Sequence, residues 1–303
     1  MFRVRKQIGC SESLLASCKN KGIAVAVLDT GIGYHPDFGS RILSFKDFVH
    51  DKTDMYDDSG HGTHVAGCIC GSGYASDRRY RGIAPDSFLV VGKVLDKKGD
   101  GIIENMVNGV TWVLENKEKY NIRVLNISIG MSDTVDRVRM NKLLVMVDQA
   151  CEEGLVVVCA AGNTGPELMT ISPIGARKNV ITVGCHEGGY FGNRDYLCEN
   201  YSARGPSPFA YKKPDVVAPG TDIISCNVKI EQRGRKYRNA YIAKSGTSMA
   251  TPIVSGGLAL LLQKHPQLTN EQAKKKLQFS ATDLMEPWHK QGFGMINVER
   301  MLR

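Results

Sequence analysis

Three short stretches of this 303-residue sequence each set one chemically capable side chain among small residues. The first is Asp29, which ends the run Ile23-Ala24-Val25-Ala26-Val27-Leu28 and precedes Thr30-Gly31-Ile32-Gly33. An acid at the carboxyl end of a buried parallel strand stands where α/β sheets build their sites. The Gly-x-Gly after it does not open a dinucleotide loop, because the third glycine is missing and His35-Pro36 breaks the chain. Taken alone, Asp29 also reads as a turn cap. The second is His61, in Ser59-Gly60-His61-Gly62-Thr63-His64-Val65-Ala66-Gly67, where small neighbours allow a helix beginning here to approach closely. His61 and His64 share a helix face at i and i+3, which raises metal binding. A zinc peptidase places glutamate after the first histidine, and this chain has Gly62 there.

The third stretch is Lys244-Ser245-Gly246-Thr247-Ser248-Met249-Ala250-Thr251-Pro252. A glycine turn delivers Ser248 to the head of an apolar helix, where unpaired backbone N–H groups and the positive end of the helix dipole favour an oxyanion. The plainer reading is an N-cap serine. Pro252 is expected in the first turn, where its missing N–H matters least. Together the three stretches resemble the active-site blocks of the subtilase family, in that family's order Asp, His, Ser. The blocks D-[ST]-G, H-G-T-H-x-A-G and G-T-S-M-A-x-P are each met without a gap. The likeness runs from about Ile8 to Val298 and includes Gln291-Gly292-x-Gly294-x-Ile296-Asn297. Gly73 to Pro85 and Glu115 to Gly130 are most similar to intracellular bacterial subtilases.

The resemblance implies a serine endopeptidase with Ser248 as nucleophile, His61 as general base and then acid, and Asp29 orienting the imidazole. Asn163, in Ala160-Ala161-Gly162-Asn163-Thr164-Gly165-Pro166, matches the family's oxyanion asparagine. By the same likeness Gly99-Asp100-Gly101 and Ser128-Ile129-Gly130 are the two edges that pair with an extended substrate, a form of β-strand addition. Ile103, Met106 and Ile129 match an apolar pocket four residues before the cut, and equally read as core. The primary pocket falls between Ser128-Ile129-Gly130 and Ala160-Ala161-Gly162, with its floor in Leu168 to Pro173. The implied partner is a protein or peptide, and catalysis needs no metal. Asp37 matches a structural calcium ligand, yet the loop for the other ligands reads Ser76-Asp77-Arg78-Arg79-Tyr80, with two arginines that repel a cation.

The elements that must position these groups follow from periodicity. Near-continuous apolar runs at Ile23–Leu28, Phe88–Leu95, Ile122–Ile127, Leu155–Cys159, Val180–Val183 and Val216–Ala218 predict buried parallel strands. Between them, Ile103–Lys117, Val135–Glu152 and Met249–Gln263 predict helices, the last apolar on almost all sides and so buried. Thr269–Leu277 opens on Thr-Asn-Glu-Gln, close to a capping box. The alternation points to an α/β fold of three layers, a mostly parallel central sheet with helices on both faces. Nothing reads as a linker, so residues 1–303 are expected to form one peptidase domain, with residues 1–20 as an extension packed on it and no long folding pro-segment.

Composition excludes several classes. Hydrophobic residues make 42% and charged ones 23% of the chain, as in globular proteins and unlike disordered ones. The net charge of +8 raises a nucleic-acid partner, but the charges are dispersed. The densest patch, Arg233-Gly234-Arg235-Lys236-Tyr237-Arg238, reads as a polar hairpin tip with no row of aromatics to stack bases. No nucleic-acid or membrane partner is expected, and the sequence specifies no oligomeric state. Nine cysteines, several inside apolar runs and none in a C-x-x-C pair, read as small buried hydrophobes rather than zinc ligands. Many free thiols and the lack of a signal-peptide pattern point to the cytoplasm, and the resemblance implies a bacterial one.

Overall fold

A computed structural model describes residues 1–18, 22–129, 136–192, 194–234 and 236–303. Its centre is a seven-stranded sheet in the order β2-β3-β1-β4-β5-β6-β7, with every neighbouring pair parallel. The strands are β1 (Ala24–Asp29), β2 (Ile42–Asp47), β3 (Phe88–Lys93), β4 (Ile122–Ile127), β5 (Val156–Ala160), β6 (Ile181–Cys185) and β7 (Val216–Ala218). Six of these are the apolar runs, displaced by at most two residues. The edge strand β2 was not anticipated. Its sequence Ile-Leu-Ser-Phe-Lys-Asp is polar at every other step late in the run and only partly buried, as suits an edge. Two antiparallel ribbons complete the β structure. β8 (Ile223–Cys226) pairs with β11 (Tyr241–Lys244), and β9 (Glu231–Arg233) with β10 (Lys236–Arg238). The latter pair is the expected hairpin; Arg235 at its tip lies outside the described residues.

Strand alternation sorts side chains to the two faces of the sheet. On β1, Val25 and Val27 join a core with the helices α3 (His61–Cys70) and α7 (Thr247–Lys264). Ala24, Ala26 and Leu28 join the opposite core with α4 (Ile103–Glu115) and α5 (Arg137–Glu152). Val135, the expected start of α5, lies outside the described residues. Short helices α1 (Phe2–Gln7) and α2 (Glu12–Ser17) precede the sheet, and α6 (Cys198–Tyr201) follows β6. The Met1 ammonium donates to the Ile224 carbonyl (3.2 Å), and the Val298 N–H to that of Ile8 (2.7 Å), tying the N-terminal segment to the body.

Helix α7 is buried along its whole length from Thr247 to Gln263, as its apolar circumference requires. Truncating one of its core leucines, such as Leu258 or Leu261, removes about 2–5 kcal/mol. It begins at Thr247, two residues before the predicted start, so Pro252 sits in the second turn rather than the first. There it withholds the N–H that the Ser248 carbonyl would otherwise receive. Helix α8 (Asn270–Ser280) carries the expected capping box: Gln272 N–H donates to Thr269 Oγ1 and Thr269 N–H to Gln272 Oε1. No helix among the described residues is long and apolar enough to cross a membrane.

Candidate active site

The carboxyl ends of three adjacent central strands, β1, β4 and β5, meet the heads of α3 and α7. Asp29 closes β1 and is fully buried. His61 opens α3, after Gly60 in a left-handed conformation at the N-cap. The two meet: His61 Nδ1 donates to Asp29 Oδ1 at 2.7 Å, and the Thr30 N–H donates to the same oxygen at 2.7 Å. Asp29 therefore does more than cap its turn. The approach depends on Gly62, because a Cβ there would come within 2.2 Å of the Gly31 carbonyl oxygen. The imidazole is 25% exposed at its side chain, so Nε2 can be reached from outside. Burial disfavours its charged form, but the charge and hydrogen bond of Asp29 outweigh burial and raise the His61 pKa above its ordinary 6.5.

The second histidine of the motif does something else. His64 is fully buried, with Nε2 against the Ile223 carbonyl (2.8 Å) and the Ile242 carbonyl (3.2 Å). Burial drives its pKa down to about 3, so it is a neutral strut pinning α3 to the β8–β11 ribbon rather than a metal ligand.

Ser248 stands one residue inside α7, whose N-cap is Gly246, so it is not the cap that its sequence alone allowed. Neither its hydroxyl nor its backbone N–H makes a hydrogen bond among the described residues. Gly246 (φ 142°) turns the chain here, and its N–H donates to the Gly220 carbonyl at 2.9 Å. Asn163, in the loop after β5, reaches the same turn. Its Oδ1 accepts from the Thr247 N–H (3.1 Å) and the Thr247 hydroxyl (3.0 Å), which fixes the amide and leaves Nδ2 as an unused donor. Nδ2 lies 3.6 Å from where a Cβ on Gly246 would stand.

What holds the Asp29 loop and the His61 helix together escaped the sequence reading. Asp57 is buried and accepts from the Thr30 hydroxyl (2.8 Å), the N–H groups of Ser59 (3.2 Å), Gly60 (2.7 Å) and Thr63 (2.8 Å), and the Thr63 hydroxyl (2.7 Å). Thr30 Oγ1 in turn accepts from the Gly62 N–H at 2.9 Å. Burial alone would raise the Asp57 pKa, but these donors, Thr63 foremost, bring it below the usual range. On the other flank the buried Lys93 ammonium donates to the carbonyls of Thr30 (2.7 Å) and Leu95 (2.9 Å) and to Asp58 (2.8 Å). The available signal for Asp57 was an acid just ahead of a helix start. Asp57→Asn keeps the shape but turns an acceptor into a donor facing Thr63. The expected result is a kcat lowered by up to about 10²-fold with KM little changed, as for a small misplacement of a catalytic group. Steady-state kinetics check it, alongside the NMR signal of the His61–Asp29 proton, which a purely structural role would leave in place.

Gly99, Asp100 and Gly101 form the loop between β3 and α4, stiffened by the Asp96 N–H donating to the Asp100 carbonyl (2.8 Å) and Asp100 N–H to Asp96 Oδ1 (3.0 Å). Ser128 is buried and its hydroxyl accepts from Asn126 Nδ2 (2.9 Å). Ile103, Met106 and Ile129 lie within the α4–α5 core, nearly inaccessible. Gly130 lies outside the described residues. Beyond β5, the carbonyls of Ala160, Ala161 and Gly162 are already used, by the Ser172 hydroxyl (2.9 Å), the Ser172 N–H (2.8 Å) and the Ala203 N–H (2.9 Å). In the expected floor, Ile171 packs with Ala161, Ala176 and Ala203, while Leu168 and Met169 are exposed. A cavity of about 770 Å³ opens elsewhere, between α1 and the loop at Arg78 and Arg79, and holds none of these groups.

Asp37 is buried and fully engaged. Its carboxylate accepts from the Tyr241 hydroxyl (2.9 and 3.0 Å to its two oxygens), the Gly73 N–H (3.0 Å) and the Ala75 N–H (3.1 Å). His35 and Cys226 bring nitrogen and sulfur within 4.8 Å of it. However, His35 Nδ1 takes the Asp37 N–H at 3.1 Å, and its Nε2 faces the Ala240 carbonyl at 2.8 Å. Calcium asks for six to eight oxygen ligands. Hydrogen donors, an imidazole and a thiol do not supply them, so these residues do not fit the ion.

The model of the subtilase family matches residues 20–295. The chain is 40% identical over 292 residues to Serine protease AprX of Bacillus subtilis (strain 168), covering 92% of this chain and 66% of that protein. It is 35% identical over 281 residues to Subtilisin of Bacillus pumilus, covering 91% and 90% respectively. Among solved structures, Sphericase superposes with a TM-score of 0.78 at 29% identity, over 95% of this chain and 98% of its own. The chain thus spans about two thirds of the length of the AprX protein.

Proposed function

The chain belongs to the subtilase family, and on that premise we propose that it is a serine endopeptidase acting through an Asp29-His61-Ser248 triad on proteins or peptides. The observation that carries this reading is the 2.7 Å bond from His61 Nδ1 to Asp29 Oδ1, together with a Ser248 hydroxyl left unengaged at the head of α7. With Nδ1 committed as donor, the neutral ring presents Nε2 as the base that takes the Ser248 proton. Ser248 Oγ then attacks the scissile carbonyl, and the developing oxyanion accepts from the Ser248 N–H and Asn163 Nδ2. His61 hands its proton to the leaving amine, and water repeats the sequence on the acyl-enzyme.

Calcium plays no part in this proposal, and Asp37 acts as a hydrogen-bond hub. The buried thiols support a reducing, intracellular setting, since all nine cysteines are unpaired and buried. There the enzyme serves either general turnover or the processing of a dedicated precursor. A proteome-derived peptide library separates the two by the breadth of its cut sites.

An active-site-directed serine reagent tests the assignment. Stoichiometric labelling of Ser248 in the folded protein is the expected result, and absence of labelling would sink it. The pH profile offers an independent check. Because only neutral His61 acts as base and its pKa is raised, kcat/KM should fall on the acid side with an apparent pKa above 6.5. An acid limb below that value contradicts the role given to Asp29.

A further inference from the structure

The cations beside the site are not spread evenly around Ser248. During attack the carbonyl oxygen turns towards Asn163, on the β5 side. The amine must lie near His61, the group that protonates it. Whatever chain follows the cut therefore runs out on the His61 side. That side is walled by the two ribbons. Val228, between β8 and β9, packs at 3.0 Å from where a Cβ on Gly60 would sit, one residue from His61. The rings of Tyr237 on β10 and Tyr74 meet edge to face at 6.2 Å, joining the hairpin to the loop at 74–79.

The charges on this wall are predominantly positive. Lys244 ends β11, four residues before Ser248, opposite Ile223, whose carbonyl holds His64. Its ammonium bears on both His61 and His64. Further out stands exposed Lys236 on the hairpin. Neither lysine has an acidic partner among the described residues; Arg238 faces Glu231 in the ladder.

We infer that the leaving side of the site selects an acidic segment, with Lys244 receiving a carboxylate close to the cut and Lys236 meeting a further acid beyond it. This rests on the peptidase reading and names its substrate class: peptide bonds followed by Asp or Glu. Charge complementarity at partly exposed positions gives modest energies per pair and larger effects on encounter. Exposed Tyr74 and half-buried Tyr237 add flat apolar surface for the same extended chain.

The test uses quenched fluorescent peptides with one acyl-side sequence and leaving sides carrying two aspartates, two lysines or only serine and alanine. The expected kcat/KM order is acidic over neutral over basic, with about tenfold or more between the extremes at low salt, shrinking in concentrated salt. Lys244→Glu should reverse the order while the neutral peptide is still cut. Lys236→Glu, on an exposed hairpin where folding is not at stake, should weaken the acidic preference alone. Equal rates on all three peptides, or an order unchanged by Lys244→Glu, overturn the inference while leaving the peptidase reading intact. No cleavage of the neutral peptide, and no labelling of Ser248, overturns both.

Discussion

Ser248→Ala is expected to abolish peptide-bond hydrolysis, lowering kcat by about 10⁶-fold, with the fold and thermal stability unchanged. The magnitude is the one known for removal of the nucleophile in a subtilisin and is carried over by kinship. The stability half of the expectation comes from this chain. The Ser248 hydroxyl holds no partner among the described residues and sits inside a helix, so alanine loses no hydrogen bond and favours the helix slightly. Thermal unfolding within a degree or two of the parent, together with loss of turnover, is the expected pair. Turnover that survives alanine overturns the assignment of the nucleophile.

The second large effect is at Asn163, where two roles of one side chain can be separated. Asn163→Ala removes the Nδ2 donor and should lower kcat by about 10²–10³-fold with KM nearly constant; that range was established in a subtilisin. It also removes the acceptor of Thr247, a loss of about 1 kcal/mol at a solvent-reachable position. Asn163→Asp keeps the acceptor for Thr247 but replaces the donor with a negative oxygen facing the oxyanion. Its stability should therefore recover while kcat falls at least as far as in the alanine variant. Kinetics and melting curves on both variants check this. A kcat for Asn163→Asp near the parent value would assign Asn163 to holding α7 alone.

Much of this architecture was legible because its strands are covered on both faces. Val25 to Leu28 and Val156 to Cys159 are apolar without interruption, and such runs have few alternatives. The edge strand β2 hid because one side faces solvent and its pattern is broken by Ser44 and Lys46. The start of α7 was misplaced by two residues because Thr247 and Ser248 are weak helix formers, and their helical geometry is set by Asn163 and Gly246. Asp29, His61, Ser248 and Asn163 were legible through the motifs around them. Asp57 and Lys93 were not. Lys93 pairs with Asp58 across 35 residues, and Asp57 ties its own neighbours Gly60 and Thr63 to Thr30 across 27, so what makes them important lies in a pairing that leaves no local period to read. Ile103, Met106 and Ile129 show the converse: apolar residues at this spacing read equally as pocket or core, and their near-complete burial on the α4–α5 side of the sheet suits both.

The nine thiols were described as small apolar fillers, each shut away from solvent. They are also scattered through the architecture: Cys68 and Cys70 in α3, Cys151 in α5, Cys159 in β5, Cys185 in β6, Cys198 in α6 and Cys226 in β8, with Cys10 and Cys18 near the N-terminus. Burial drives the thiols of Cys68, Cys151 and Cys159 to about 11–12, so a thiol-reactive dye meets neither access nor thiolate while the fold is closed. Each cysteine becomes reactive only when its own element opens. The rate of dye attachment, resolved residue by residue with mass spectrometry, is then a built-in clock for the breathing of each layer. It needs no introduced label, and it can be read with and without a peptide held in the site.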